Sequence, residues 1–238
     1  MSVELIQAPT LLPSTARYKT SPRPKASFNT FLDAHRLFDP ARPGTSTVRV
    51  ERIEHEGHPA VRVHAEHPFK DGVITESLVC TERQGRLSSA CLERSVTDAQ
   101  GVEKRREFVD FRSPLPLPPD SYPEVMLPFL LRWQPFDGKQ RALYAWINDR
   151  FVARVYYQHV GEATLDLPIG QRKAVEFMMY PDLNDWVNLG SVLSRLARPL
   201  VPKYRMWFDP SPPFHVLRFE GPYGPPGAPE IVLELESI

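Results

Sequence analysis

The clearest order in this chain is a period of two. Val48 and Val50, then Val61, Val63 and Ala65, alternate with polar neighbours on either side of Glu56-Gly57-His58-Pro59, the pattern of a half-buried hairpin. Ile74, Leu78 and Cys80 continue it, Gln84-Gly85 turns the chain, Leu87 to Val96 returns, and Gln100-Gly101 leads into Glu103–Arg112. Residues 45–112 therefore predict five strands in a meander. A second strand group runs from Arg141 to Tyr180, where Val, Ile, Tyr, Phe and Trp crowd segments cut by Asn148-Asp149, Gly161 and Pro168-Ile169-Gly170. Asn148-Asp149 accepts positive φ at modest cost, so a tight turn is expected to join strands 141–147 and 150–158. Tyr204–Phe208, Phe214–Glu220 and Ile231–Glu236 close the chain as three more strands.

A helical period surfaces only in short stretches. Phe28, Phe31, Leu32 and His35 fall on one face behind a Ser27 cap and stop at Pro40 and Pro43-Gly44. Tyr122–Trp133 carries Val125, Met126, Phe129 and Leu130, but Pro128 kinks it or confines it to about two turns. Asn184–Arg198 stripes Trp186, Leu189, Gly190, Leu193, Leu196 and Ala197, with Pro199 as its stop. The expected class is α+β: a curved antiparallel half-barrel of about ten strands with two or three helices on its concave side. Residues 1–44 read as a Pro-rich N-terminal segment with a short helix, and residues 45–238 as a single β-rich half-barrel domain.

Composition narrows the partners. The 238 residues are 42% hydrophobic and 24% charged, ordinary for a globular chain with a sizeable core. Lys plus Arg (29) balances Asp plus Glu (29), so no overall field recruits nucleic acid or an anionic membrane. No apolar run approaches the roughly 18 residues of a membrane helix. The start, MSVELIQAPTLLPSTARYKTSPRPK, has Glu4 where a signal peptide needs a basic region, and Pro9 and Pro13 break its apolar stretch. A cytoplasmic location is expected, or a periplasmic one if a signal was removed.

Known catalytic signatures are missing from the sequence: there is no G-x-S-x-G, no G-x-G-x-x-G and no G-x-x-x-x-G-K-[ST]. Four histidines (His55, His58, His64 and His67) crowd one hairpin, but their spacing matches no metal cage, and solvated polar residues are the simpler account. No metal and no cofactor is expected. Cys80 and Cys91 flank the Gln84-Gly85 turn and are expected as two half-buried thiols. Aromatic residues dominate the C-terminal half. They make sheet core, or else they line an apolar cavity with an Arg at its mouth. The candidate ligand-binding residues are Arg132, Tyr144, Trp146, Arg154, Tyr156, Arg205 and Trp207.

Several short elements resemble a known family. Leu131-Arg132 precedes Gly138-Lys139, Val160-Gly161-Glu162 enters a strand, Leu167-Pro168 is followed by Gly170, and Trp207 by Asp209, Pro213 and Gly224. Together they resemble a bacterial family of β-rich envelope proteins of unknown function, itself similar to the lipoprotein carriers LolA and LolB. The resemblance covers roughly the C-terminal half. It implies an antiparallel half-barrel with helices plugging its open side, and no established activity or catalytic residues. Members of that family usually carry an export signal, which this start does not resemble.

The leading expectation is binding or carriage of a hydrophobic small molecule or lipid, with an Arg fixing a polar head. An alternative is a small barrel enzyme acting on an apolar metabolite by shape, cyclase- or isomerase-like, with Glu162, His159 and Tyr156 as acid–base groups. A further alternative is a protein-interaction module using a sheet edge and the Pro-rich segments.

Overall fold

The computed structural model describes residues 3–9, 13–23, 44–112, 118, 121–148, 151–182, 203–223 and 228–238. Six strands come first: β1 (Ser14–Pro22), β2 (Gly44–His55), β3 (His58–Phe69), β4 (Gly72–Arg83), β5 (Arg86–Asp98) and β6 (Glu103–Asp110). A short β7 (Ser121–Pro123) precedes α1 (Leu127–Leu130), and then follow β8 (Arg141–Asn148), β9 (Phe151–Leu167) and β10 (Gly170–Pro181). β11 (Tyr204–Phe208), β12 (Val216–Pro222) and β13 (Glu230–Ser237) end the chain. All thirteen lie in one sheet, in the order β6-β5-β4-β3-β2-β1-β13-β12-β11-β10-β9-β8-β7. Every pairing is antiparallel except β7 with β8.

The meander β2–β6 stands where the alternation puts it. Its turns have the positive φ that hairpin chemistry demands: 51° and 77° at Glu56-Gly57, 51° and 71° at Gln84-Gly85. Asn148 pairs with Phe151, so β8 and β9 form the expected hairpin, although Asp149 lies outside the described residues.

The α+β expectation is corrected. Among the described residues there is one α-helix of four residues, flanked by single 3-10 turns at Glu124–Met126 and Leu131–Trp133, and otherwise strand. Pro128 sits in the first helical turn, where its missing N–H costs nothing, so the helix can only begin beside it. The helices expected at 27–35 and 184–198 fall outside the described residues. The sheet also takes in residues 14–22, assigned by sequence to the N-terminal segment: β1 lies between β2 and β13. Its inward positions Ala16, Tyr18 and Thr20 keep the period of two, but a threonine among them and Pro22 at its end blur the signal.

Six register shifts, in the β1–β13, β4–β5, β5–β6, β8–β9, β9–β10 and β11–β12 pairs, bend the sheet. Its far ends are laced together by residues 4–8. The Glu4 amide donates to the Ala142 carbonyl of β8 (2.9 Å), the Leu87 amide of β5 donates to the Ile6 carbonyl (2.8 Å), and the Ala8 amide donates to the Gly85 carbonyl (2.9 Å). Tyr122 ties the seam from inside: the Ile6 amide donates to its hydroxyl (3.1 Å), which donates to the Leu87 carbonyl (2.6 Å).

The segment 121–134 lies against the inner face, with nearly every residue buried. Phe129 meets Tyr18 at 6.2 Å between ring centroids, Leu127, Leu130 and Leu131 are fully buried, and the Tyr157 hydroxyl donates to Gln134 Oε1 at 3.2 Å. Beside it the core carries a polar cluster. His67 Nδ1 meets Ser46 Oγ at 2.9 Å, and Ser46 meets Thr20 Oγ1 at 2.6 Å. Arg94 and Tyr223 donate to the two oxygens of Glu76 at 2.6 and 2.5 Å, while Tyr204 donates to Glu124. Burial pushes the Glu124 carboxyl up to about 8 and pulls His67 down to about 3, so both are neutral at pH 7.

Two outcomes follow for stability. Tyr122→Phe leaves the buried Ile6 amide without its acceptor and should cost about 1–3 kcal/mol, read from the denaturant midpoint at unchanged slope. An unchanged midpoint would mean that the seam hydroxyl contributes nothing. The pH profile is set by two opposed groups. Glu124 has a raised folded pKa, so its contribution is full below the unfolded value and is lost as pH rises through about 8. His67 has a depressed one, so its contribution is full above pH ~6.5 and is lost as pH falls through about 3. Stability should be greatest at about pH 5–6 and fall toward pH 8 by on the order of a few kcal/mol. Glu124→Gln should flatten that alkaline limb; an alkaline limb unaltered by the substitution would locate its cause elsewhere.

Candidate ligand-binding site

Directly after α1 the chain makes one 3-10 turn and places Arg132, Trp133 and Gln134 side by side in the core, exposed by only 4%, 7% and 3%. Together with Gln7, Ala8, Pro9, Pro135, Phe136 and Phe214 they line a cavity of about 350 Å³, within the range of small-molecule sites. Its walls are largely apolar. Phe136 and Phe214 meet edge to face, with centroids 5.5 Å apart and planes at 90°. The wall formed by residues 7–9 belongs to the segment that laces β8 to β5. Arg52 of β2 holds that segment by donating to the Pro9 carbonyl.

Phe214 comes from the loop between β11 and β12. The loop is pinned by the Asp209 amide on the His215 carbonyl (2.9 Å) and the Phe214 amide on the Ser211 carbonyl (2.8 Å). Phe214 has φ of 55°. A bulky side chain in the left-handed region is strained, and such strain persists only where the surroundings impose it, often at functional sites.

The polar groups of the cavity are underused. Arg132 donates weakly to Ser14 Oγ (3.5 Å) and stacks over the Trp133 ring (4.9 Å), while its Nε has no partner. Among the described residues no carboxylate lies within ion-pair distance of it. Glu51, which lines a small pocket together with Arg132 and Trp133, pairs instead with Arg62 at 3.8 Å. Burial pulls the guanidinium down to about 10, so it stays charged at neutral pH. Trp133 Nε1 and Gln134 Nε2 are likewise buried without partners, and Gln134 is oriented because its Oε1 is occupied by Tyr157. His215, next to Phe214, has an unpartnered Nδ1, and burial and the Arg132 charge lower its pKa.

The other residues singled out by sequence lie apart from this cavity. Tyr144, Arg154 and Tyr156 gather on the outer face of β8 and β9, with the Arg154 guanidinium 5.8 Å from the Tyr144 ring and the Tyr156 hydroxyl on Asp182 (2.7 Å). Trp146 is buried edge-on against Phe111, centroids 5.5 Å apart. Arg205 and Trp207 form a second outer-face group: the Trp207 ring lies beneath Arg205 (4.7 Å) and Arg218 (5.7 Å), and Arg205 pairs with Glu176 at 2.8 Å. His159 touches Phe136 and Phe177, its Nε2 at 3.0 Å from the Gly161 carbonyl, and Glu162 is exposed. Glu162, His159 and Tyr156 are thus not gathered in one site. Only Arg132 of the expected ligand-binding set lines the cavity. Trp133, Gln134 and Phe214 also line the cavity and stand outside that set; for Gln134 a polar residue inside an otherwise apolar run was the one available signal.

The histidine hairpin is split between faces, with His67 in the core and His64 outside on Glu66 (3.2 Å). Among the described residues no group of three or more His, Cys, Asp or Glu is placed to hold a metal ion. Cys80 is fully buried and Cys91 half-buried, both free; the β4–β5 register shift sets Cys80 opposite Ser89 and Cys91 opposite Val79. No helix among the described residues is long and apolar enough to cross a membrane.

No protein-family model matches the chain, and no curated protein does. Two solved structures are similar along its whole length. One is a Bacteroides fragilis protein named as exported, with a YmcC-like fold: TM-score 0.36, 12% identity, 98% of each chain. The other is a Parabacteroides distasonis protein named as a lipoprotein: TM-score 0.37, 9% identity, 100% of this chain and 99% of that one. Likeness at this level relates chain paths in outline only, and the similarity to LolA and LolB gains nothing from it.

Proposed function

We propose that the protein binds a hydrophobic small molecule in the cavity between residues 7–9, residues 132–136 and Phe214. The observation that carries this is a cavity of about 350 Å³ with apolar walls, one of them a strained phenylalanine, beside a buried arginine. Burying a ligand's apolar surface there contributes roughly 25 cal/mol per Å² before the costs of association. The cytoplasmic location expected from the sequence draws no support from the neighbours' names. Binding in this cavity is compatible with either compartment.

The test is a neutral apolar fluorophore, N-phenylnaphthylamine, titrated into the protein with quenching of tryptophan emission as a second readout. Phe214→Gly should weaken binding about tenfold by removing one wall. Stability should change by less than about 1 kcal/mol, because glycine relieves the left-handed strain as the ring packing is lost. Tyr156→Ala, on the outer face, should leave binding unchanged. Binding that survives Phe214→Gly and disappears with Tyr156→Ala would move the site to the outer face and end this assignment.

A further inference from the structure

Resting on that assignment, we propose that the guest carries a carboxylate, and that Arg132, Trp133 and Gln134 are the residues that select it. A guanidinium exposed by only 4% and facing no carboxylate among the described residues is an expensive arrangement, since a buried charge is tolerated when paired and hydrogen-bonded. Arg132 Nε, Trp133 Nε1 and Gln134 Nε2 are three buried donors without acceptors on consecutive residues, and all three residues line the same cavity. A neutral apolar guest offers the Arg132 guanidinium, which lines the cavity, no acceptor; an anion offers it one. Gln134 cannot flip to offer its carbonyl, because Tyr157 already donates to it.

The charge count separates anion classes. Among the described residues that line the cavity Arg132 is the single formal cation, and His215 beside it is held neutral by burial and by the guanidinium itself. A monoanion neutralises the site. A phosphate monoester, with about −1.5 to −2 charge, would leave surplus negative charge buried. A planar carboxylate also matches the paired donors along a guanidinium edge. The guest is therefore an apolar carboxylate whose tail lies along Phe136 and Phe214 and whose head rests on the turn after α1.

Three matched probes decide this on the wild-type protein, each displacing N-phenylnaphthylamine: octanoate, octanol and octyl phosphate. Octanoate should bind at least tenfold more tightly than octanol, the increment expected of a hydrogen bond to a charged group, and more tightly than octyl phosphate. Gln134→Leu should narrow the octanoate–octanol gap severalfold, and Arg132→Gln should close it where that variant folds. Equal displacement by octanoate and octanol would overturn the carboxylate assignment and leave the apolar cavity standing. Tighter binding of octyl phosphate would overturn it in favour of a phosphorylated guest. Failure of the fluorophore and all three probes to bind would overturn the cavity assignment as well.

Discussion

A thirteen-stranded sheet can bury its inner face only by rolling around something, and everything inside this molecule depends on the roll staying shut. The two regions that must meet, β8 and β5, do not pair with each other. Residues 4–8 bridge them with backbone hydrogen bonds, and the Tyr122 hydroxyl accepts from one side of that bridge and donates to the other. One buried hydroxyl thus joins the N-terminal segment, β5 and the start of the inner segment 121–134. Leaving any of these groups unsatisfied in the interior costs more than making the bond contributes.

Closure explains why so much chemistry is trapped within. The segment 121–134 threads the interior and carries Glu124 and Arg132 with it, at opposite ends of α1. Glu124 meets Tyr204 and is kept neutral by burial, with Arg94 and Glu76 within electrostatic reach. Arg132 meets no such partner, and the cavity adjoins it. The same constraint therefore yields a self-contained polar cluster at one end of the segment and an unsatisfied cation at the other. Among the described residues the second adjoins a cavity of about 350 Å³, whereas the space beside Glu124 is about 10 Å³.

Much of the sheet was legible because half-buried antiparallel strands alternate, and Glu56-Gly57 and Gln84-Gly85 announce their turns. β1 was hidden because Thr20 occupies an inward position and hydrogen-bonds Ser46 there, which removes a hydrophobic mark from the pattern. The inner segment reads in sequence as a short helix confined by Pro128, and Glu124–Trp133 does run through one helical turn between two 3-10 turns; because it is buried nearly throughout, no polar face told which side meets the sheet. Arg132 was visible as a cation in that run. Its neighbours Trp133 and Gln134 were not, since being unpartnered is a property of the surroundings rather than of the residue. Phe214 likewise owes its significance to a loop conformation that no local pattern encodes. Tyr144 and Trp207 drew notice as aromatics that could line a cavity and Arg154 and Arg205 as cations at its mouth; they stack in pairs on the outer face, where a guanidinium over a ring needs no ligand.

The most direct measurement is a crystal structure of the protein with octanoate. The expected result is a carboxylate within hydrogen-bonding distance of the Arg132 guanidinium, with the acyl tail along Phe136 and Phe214. Octanoate bound against Tyr144 and Arg154 on the outer face, with the cavity beside Arg132 filled by water alone, would contradict it.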